Sequence, residues 1–126
     1  MKFAGLLFAL TASAQTLQHA EQLWRQHDYN GANQAFRALV AANKNNAEYR
    51  VRWGRLFLER YNKTTAAELF NEALTIQPNY APALLGLAVA ADESFDGKAI
   101  TLAEKSLAAD PKLVEARELI ARLKLE

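Results

Sequence analysis

The 126-residue chain contains no cysteine, which excludes a disulfide framework, a thiolate zinc site and a cysteine nucleophile and leaves packing as the source of stability. Proline and glycine are sparse, at 3 and 5 residues, too few to punctuate the many short strands of an all-β domain. Neither charge sign is in excess: 15 Lys and Arg stand against 14 Asp and Glu, a formal net charge of +1. The chain therefore carries no global electrostatic footprint for nucleic acid or for an anionic membrane. Its longest N-terminal apolar run, Phe3 to Leu10, falls well short of the about 20 residues that span a bilayer. Alanine, the strongest helix former, is abundant instead, and the class expected is all-α. At 14.0 kDa there is room for one compact domain or a short repeat array.

The first 14 residues, MKFAGLLFALTASA, place one cation at Lys2, then the apolar run, then the small residues Ala12, Ser13 and Ala14. That is the order of a secretory signal, with cleavage expected after Ala14 and a periplasmic or secreted product that keeps no stable membrane span. The competing reading is a first helix of the array. No cysteine follows the run to accept a lipid. Cleavage removes Lys2 from the 15 Lys and Arg and leaves 14 cations against 14 anions, a formally neutral mature chain.

A fixed period runs through the rest. A small residue followed four later by a second apolar one gives Ala32 with Phe36, Ala66 with Phe70 and Ala99 with Ala103, starting positions 34 and then 33 residues apart. Val40, Leu74 and Leu107 fall in the same register, as do Lys44, Pro78 and Pro111 at the unit ends and Ala20, Gly54 and Ala88 in the first helix. A self-similar period of this length signals a repeat architecture. In this pattern the sequence resembles the tetratricopeptide repeat (TPR) family, whose 34-residue unit is two antiparallel helices with small residues at the crossings and an aromatic in the second helix.

The clearest copy spans residues 47–80, with Trp53, Gly54, Phe57, Ala66, Phe70, Ala73 and Pro78 on the pattern. The first copy occupies residues 15–46, with Ala20, Leu23, Tyr29, Ala32 and Phe36 but Lys44 in place of the terminal proline. The third, 81–113, has Leu87, Ala88, Ala99 and Pro111, with Ala103 at the aromatic column and a turn one residue shorter. The fold expected is an α-solenoid of three TPR-like hairpins. Residues 114–126 then form a capping helix that solvates the last apolar face, with Glu118 and Arg122 as an i to i+4 pair. Pro78 and Pro111 end the preceding helices. Asn30 with Gly31, Asn62 to Thr65, and Asp96 with Gly97 read as the turns inside the hairpins. Thr64 or Thr65 is the expected cap of the following helix, with Glu68 in its first turn.

Candidate chemistry is thin. Asp92, Ser94, Asp96 and Gly97 copy the opening positions of a calcium-binding EF-hand loop, but the twelfth position, which needs a bidentate Glu, is Ala103. His19 and His27 are the only imidazoles; eight apart on a predicted helix, they point about 80 degrees away from each other. Asn62, Lys63 and Thr64 form a glycosylation sequon, relevant only in a glycosylating pathway. No catalytic residue, metal site or cofactor is assigned, and an enzyme is not expected.

The informative surface is the face that, by the resemblance, lines a concave groove built from the first helix of each hairpin. The inward positions are Leu17, Glu21, Trp24 and Arg25, then Val51, Arg52, Arg55, Leu58 and Glu59, then Leu85, Val89 and Asp92. Val51, Arg55 and Leu58 form a second stripe beside the expected core stripe of Tyr49, Trp53 and Phe57. Such a stripe fits either packing between hairpins or a recognition floor. Family members that grip the terminal carboxylate of heat-shock chaperones use Lys, Asn and Arg at inward positions; the matching residues are Leu17, Glu21, Arg52, Pro82 and Gly86, so that clamp is absent. The resemblance implies a scaffold that binds another protein or peptide, not nucleic acid. The alternatives are an accessory or truncated part of a larger enzyme or envelope assembly, and a structural unit that self-associates through its exposed apolar end.

Overall fold

The computed structural model describes residues 16–125, so the expected signal, 1–14, lies outside the described residues. Among the described residues there are seven helices and no strand: α1 Leu17–Arg25, α2 Tyr29–Ala42, α3 Ala47–Arg60, α4 Lys63–Ile76, α5 Ala81–Glu93, α6 Lys98–Ala109 and α7 Val114–Leu125. None is long and apolar enough to cross a membrane. The chain divides after Lys44 into two compact units.

The first unit contains the hairpin of α1 and α2. Thr16 caps α1, its hydroxyl accepting from the His19 N–H at 3.1 Å. The helix closes where Gln26 donates to Gln22 and His27 to Trp24, at 3.0 and 2.9 Å. His27 is therefore in the turn and not on the helix, in the left-handed region at φ 65, and its Nδ1 lies 2.7 Å from the Tyr29 hydroxyl. The turn also comes earlier than Asn30 and Gly31. Asp28 accepts from the Gly31 N–H at 3.0 Å, and this cap draws Asn30 and Gly31 into the first turn of α2. Ala20, Ala32 and Phe36 are fully buried, and Trp24 stands edge-on to Phe36 with ring centroids 6.2 Å apart.

The second unit stacks the α3–α4 and α5–α6 hairpins and lays α7 against α6 and α5. Asn46 caps α3 through the Tyr49 N–H at 3.0 Å. Asn62, not Thr64 or Thr65, caps α4, accepting from the Thr65 N–H at 2.7 Å. Here the cap serves the amide three residues ahead, so Lys63 to Thr65 form the first helical turn and Glu68 lies beyond it. Helices α4 and α6 end at Ile76 and Ala109, just before Pro78 and Pro111.

Phe70 organises the stack. Its fully buried ring sits in a cluster with Ala47, Val51, Ala66, Ala73 and Ala83. A methyl group added at Gly54 would stand 2.6 Å from Cε1 of that ring, and one at Gly86 would meet the same atom at 2.6 Å. The ring thus fills space that two glycines on successive first helices leave open. The next layer has Ala103 in the aromatic column. There Leu85, Ala88, Ala103, Ala116 and Leu119 close directly on one another, and the buried Ser106 hydroxyl donates to the Ala81 carbonyl at 2.8 Å.

One expectation holds only in part. Val51 is buried at 4% exposure, whereas Tyr49, Trp53 and Phe57 are only half-buried. Phe57 stacks obliquely between Trp53 and Tyr61, at centroid separations of 5.7 and 5.3 Å. Both stripes reach the Phe70 layer: Val51 belongs to its buried cluster, and Phe57 and Leu58 alike pack against it while half-buried.

Candidate functional site

Helices α3, α5 and the start of α7 enclose a cleft of about 270 Å³ within the second unit. Val51 and Leu85, both expected at inward positions, form its floor with Pro82 and Leu113. Arg52, Arg55, Glu48, Tyr80 and Glu115 form its walls. Val51 packs against the Phe70 layer and also lines the cleft.

The cleft is electrostatically structured. Arg55 Nη2 pairs with Glu115 Oε1 at 2.8 Å, joining α3 to α7 across 60 residues of sequence. A second pair, Arg122 Nη2 to Asp92 Oδ2 at 2.8 Å, fastens α7 to the end of α5. Both are partly exposed, so each contributes about 0.2–1 kcal/mol; their main effect is to orient α7. The Tyr80 hydroxyl is held above its usual pKa of 10.0, chiefly by burial and further by the Glu48 carboxylate, with the Arg52 guanidinium acting in the opposite direction.

The remaining expected positions are placed elsewhere. Leu58 is half-buried against the Phe70 cluster and Val89 against the Leu85–Leu119 cluster. Glu59 is exposed near the end of α3. Asp92 is turned towards Arg122 on α7. Leu17, Glu21, Trp24 and Arg25 belong to the first unit: Leu17 and Glu21 are half-buried, Trp24 packs into its own hairpin, and Arg25 is exposed at the end of α1. Gly86, one of the positions compared with the chaperone clamp, is buried against Phe70 and presents no side chain.

The side chains of the EF-hand-like segment are engaged within the fold. Asp92 binds Arg122, the Ser94 hydroxyl donates to the Ala90 carbonyl at 3.0 Å, and Asp96 accepts from the Lys98 N–H at 3.0 Å to open α6.

Sequence reasoning missed Glu48, Tyr80, Leu113 and Glu115. A usable signal existed for two of them. Tyr80 and Leu113 are 33 residues apart in the column that ends each unit, so continuing the register past Pro111 makes α7 the first helix of a further unit and brings its start to the cleft.

The cleft is lined by apolar surface, guanidinium groups, carboxylates and one phenol. Two stacked helical hairpins, small residues at the crossings, an aromatic between layers and a closing helix together define the TPR fold. No family model and no curated protein sequence matches the chain. Solved structures do. The TPR domain of OM64 from Arabidopsis is 20% identical, with a TM-score of 0.75 over 85% of this chain and 89% of that one. The Sgt2 TPR domain from Aspergillus fumigatus is 18% identical, with a TM-score of 0.77 over 85% of this chain and 73% of that one. The second TPR domain of human RPAP3, solved with an HSP70 peptide, is 17% identical, with a TM-score of 0.73 over 85% and 90%.

Proposed function

We propose that the protein is an interaction module that seats a segment of another protein in the cleft between α3, α5 and α7. The observation that carries this reading is the cleft's composition: an apolar floor of Val51, Leu85, Pro82 and Leu113 beneath walls that carry Arg52, Arg55 and Tyr80. Apolar floors with a few convergent polar groups are the usual form of a binding site. The human RPAP3 domain, solved with a peptide, has the same fold, which supports the reading without identifying the partner, since one fold serves many partners.

The test is affinity capture from the source's envelope fraction, comparing wild type with Arg52→Glu. Arg52 is exposed on the cleft wall, so its replacement alters the site and spares the core. Loss of a specific captured protein in the variant, with an unchanged helical circular dichroism spectrum, supports cleft binding; equal capture by both places the binding surface elsewhere.

We further propose export by the N-terminal signal, on the order of Lys2, the apolar run and Ala12 to Ala14. Terminal sequencing of the envelope-associated protein should then begin at Gln15, and an intact Met1 would remove the proposal.

A further inference from the structure

Asn30 is followed by Gly31, the only Asn–Gly pair in the sequence. In such a pair the glycine nitrogen can attack the asparagine side-chain carbonyl, because no side chain on the following residue crowds its approach. Every other asparagine of the chain precedes a residue that carries a side chain.

Asn30 is exposed in the first turn of α2. No carbonyl within a helix reaches the amides of its first turn, so the Gly31 N–H depends on the Asp28 carboxylate, which accepts from it at 3.0 Å. The nitrogen that would attack Asn30 is therefore the one that the cap engages. Gly31 has no positive φ, so the backbone alone does not require glycine there. The carboxylate does: a methyl group added at Gly31 would stand 2.7 Å from Asp28 Cγ. The close seat of the cap thus calls for the residue that makes the pair reactive. Ring closure also needs Cβ, Cα and C of Asn30 nearly coplanar with the Gly31 nitrogen, which helical dihedral angles do not permit. The first turn of α2 must open before the reaction can proceed, and helix ends open locally more often than cores do.

We propose that Asn30 is a site of spontaneous deamidation whose rate is set by opening of the first turn of α2, and that the Asp28 cap holds this rate down. In the opened turn the Gly31 nitrogen gives its proton to solvent and bonds to Asn30 Cγ. The Cγ–Nδ2 bond breaks, and Nδ2 takes up a proton and leaves as ammonia, so that a succinimide ring remains. Water then adds to one of the two ring carbonyls and opens the ring to aspartate or isoaspartate. Isoaspartate adds a methylene to the backbone just ahead of Ala32 and Phe36, both fully buried. The altered turn no longer fits that register, so a transient opening of the first hairpin becomes a permanent change.

The test is incubation of the full chain in mildly alkaline buffer. Mass spectrometry of the peptide that holds Asn30 then follows the mass gained when the amide NH2 is exchanged for OH. Each rate is divided by that of the same chain in urea, which cancels the intrinsic reactivity of the sequence. Folded wild type should convert more slowly than its unfolded chain. Asp28→Ala removes the acceptor and should raise the folded rate about fivefold, whereas Asp28→Ser keeps an acceptor at the cap and should stay close to wild type. Phe36→Leu weakens the same hairpin away from the cap and should also leave the rate close to wild type. Circular dichroism should show all three variants as helical as wild type. A folded wild type that converts as fast as its unfolded chain, or an Asp28→Ala rate equal to that of wild type, would overturn the proposal. So would equal acceleration by Phe36→Leu and Asp28→Ala, because opening of the whole hairpin would then set the rate.

Discussion

Replacing Gly54 with alanine puts two effects of similar size in opposition, and the structure says which wins. In a helix interior alanine is favoured over glycine by about 0.8–1.0 kcal/mol, so an unobstructed site would gain stability. At Gly54 the new methyl would lie 2.6 Å from Phe70 Cε1 and 3.0 Å from Cδ1 and Cζ, against about 3.5–4.0 Å for a relaxed carbon contact. The ring is fully buried and cannot retreat, because the backbone of Gly86 stands on its far side, where an added methyl would lie 2.6 Å from Cε1 and Cζ. Overpacking of this kind costs about 1–3 kcal/mol, leaving Gly54→Ala net destabilising by about 1 kcal/mol. Urea unfolding followed by circular dichroism should show a lower midpoint with an unchanged slope. In a Phe70→Leu background the obstruction is relieved and the same change should become stabilising. Gly97 is the control: its φ is −60 and an added methyl meets nothing within 4 Å, so Gly97→Ala should stabilise by about 0.4–1 kcal/mol. If Gly54→Ala raises stability equally in both backgrounds, the ring is not confined by the two glycines and the reasoning fails.

Ser106→Ala should cost about 0.5–1.5 kcal/mol, since the buried hydroxyl's bond to the Ala81 carbonyl, 2.8 Å long, ties α6 to the start of α5; an unchanged urea midpoint would show that this bond adds nothing to the stack. Tyr80 predicts an alkaline effect. Because its folded pKa is raised above 10.0, the unfolded chain gives up that proton first. Stability from this source is therefore complete below pH 10 and lost as pH rises through the folded value. Urea midpoints measured across that range should fall less steeply for Tyr80→Phe than for wild type, and parallel slopes would refute the assignment.

The repeat was legible because it is written in columns that sequence displays directly. Small residues at Ala66 and Ala99, Phe70 between layers, and the stops at Pro78 and Pro111 each act through local geometry, which one chain segment determines by itself. How deeply each stripe of α3 is buried was not legible. Tyr49, Trp53 and Phe57 recur at helical spacing as well as Val51 and Leu58 do, yet Val51 is buried while Phe57 and Leu58 pack half-buried on the same cluster. That difference follows from the separation between α3 and the Phe70 ring, a distance that no residue of α3 specifies alone. The first turn and the cap of α4 were placed two or three residues late for a smaller reason: Asp28 and Asn62 already take up the amides of Gly31 and Thr65, which draws Asn30 and Gly31, and Thr64 and Thr65, into the helices.

Composition and register alone pointed to an all-helical repeat chain, and the resemblance to tetratricopeptide repeats gave Val51, Arg52, Arg55 and Leu85 as inward positions. Only the tertiary structure decided that these four meet in one cleft and that α7 helps to wall it through Glu115. Local periodicity encodes a helix and its apolar faces, whereas a salt bridge spanning 60 residues or a ring fitted between Gly54 and Gly86 depends on how the helices stack, and stacking is settled by shape across the whole unit.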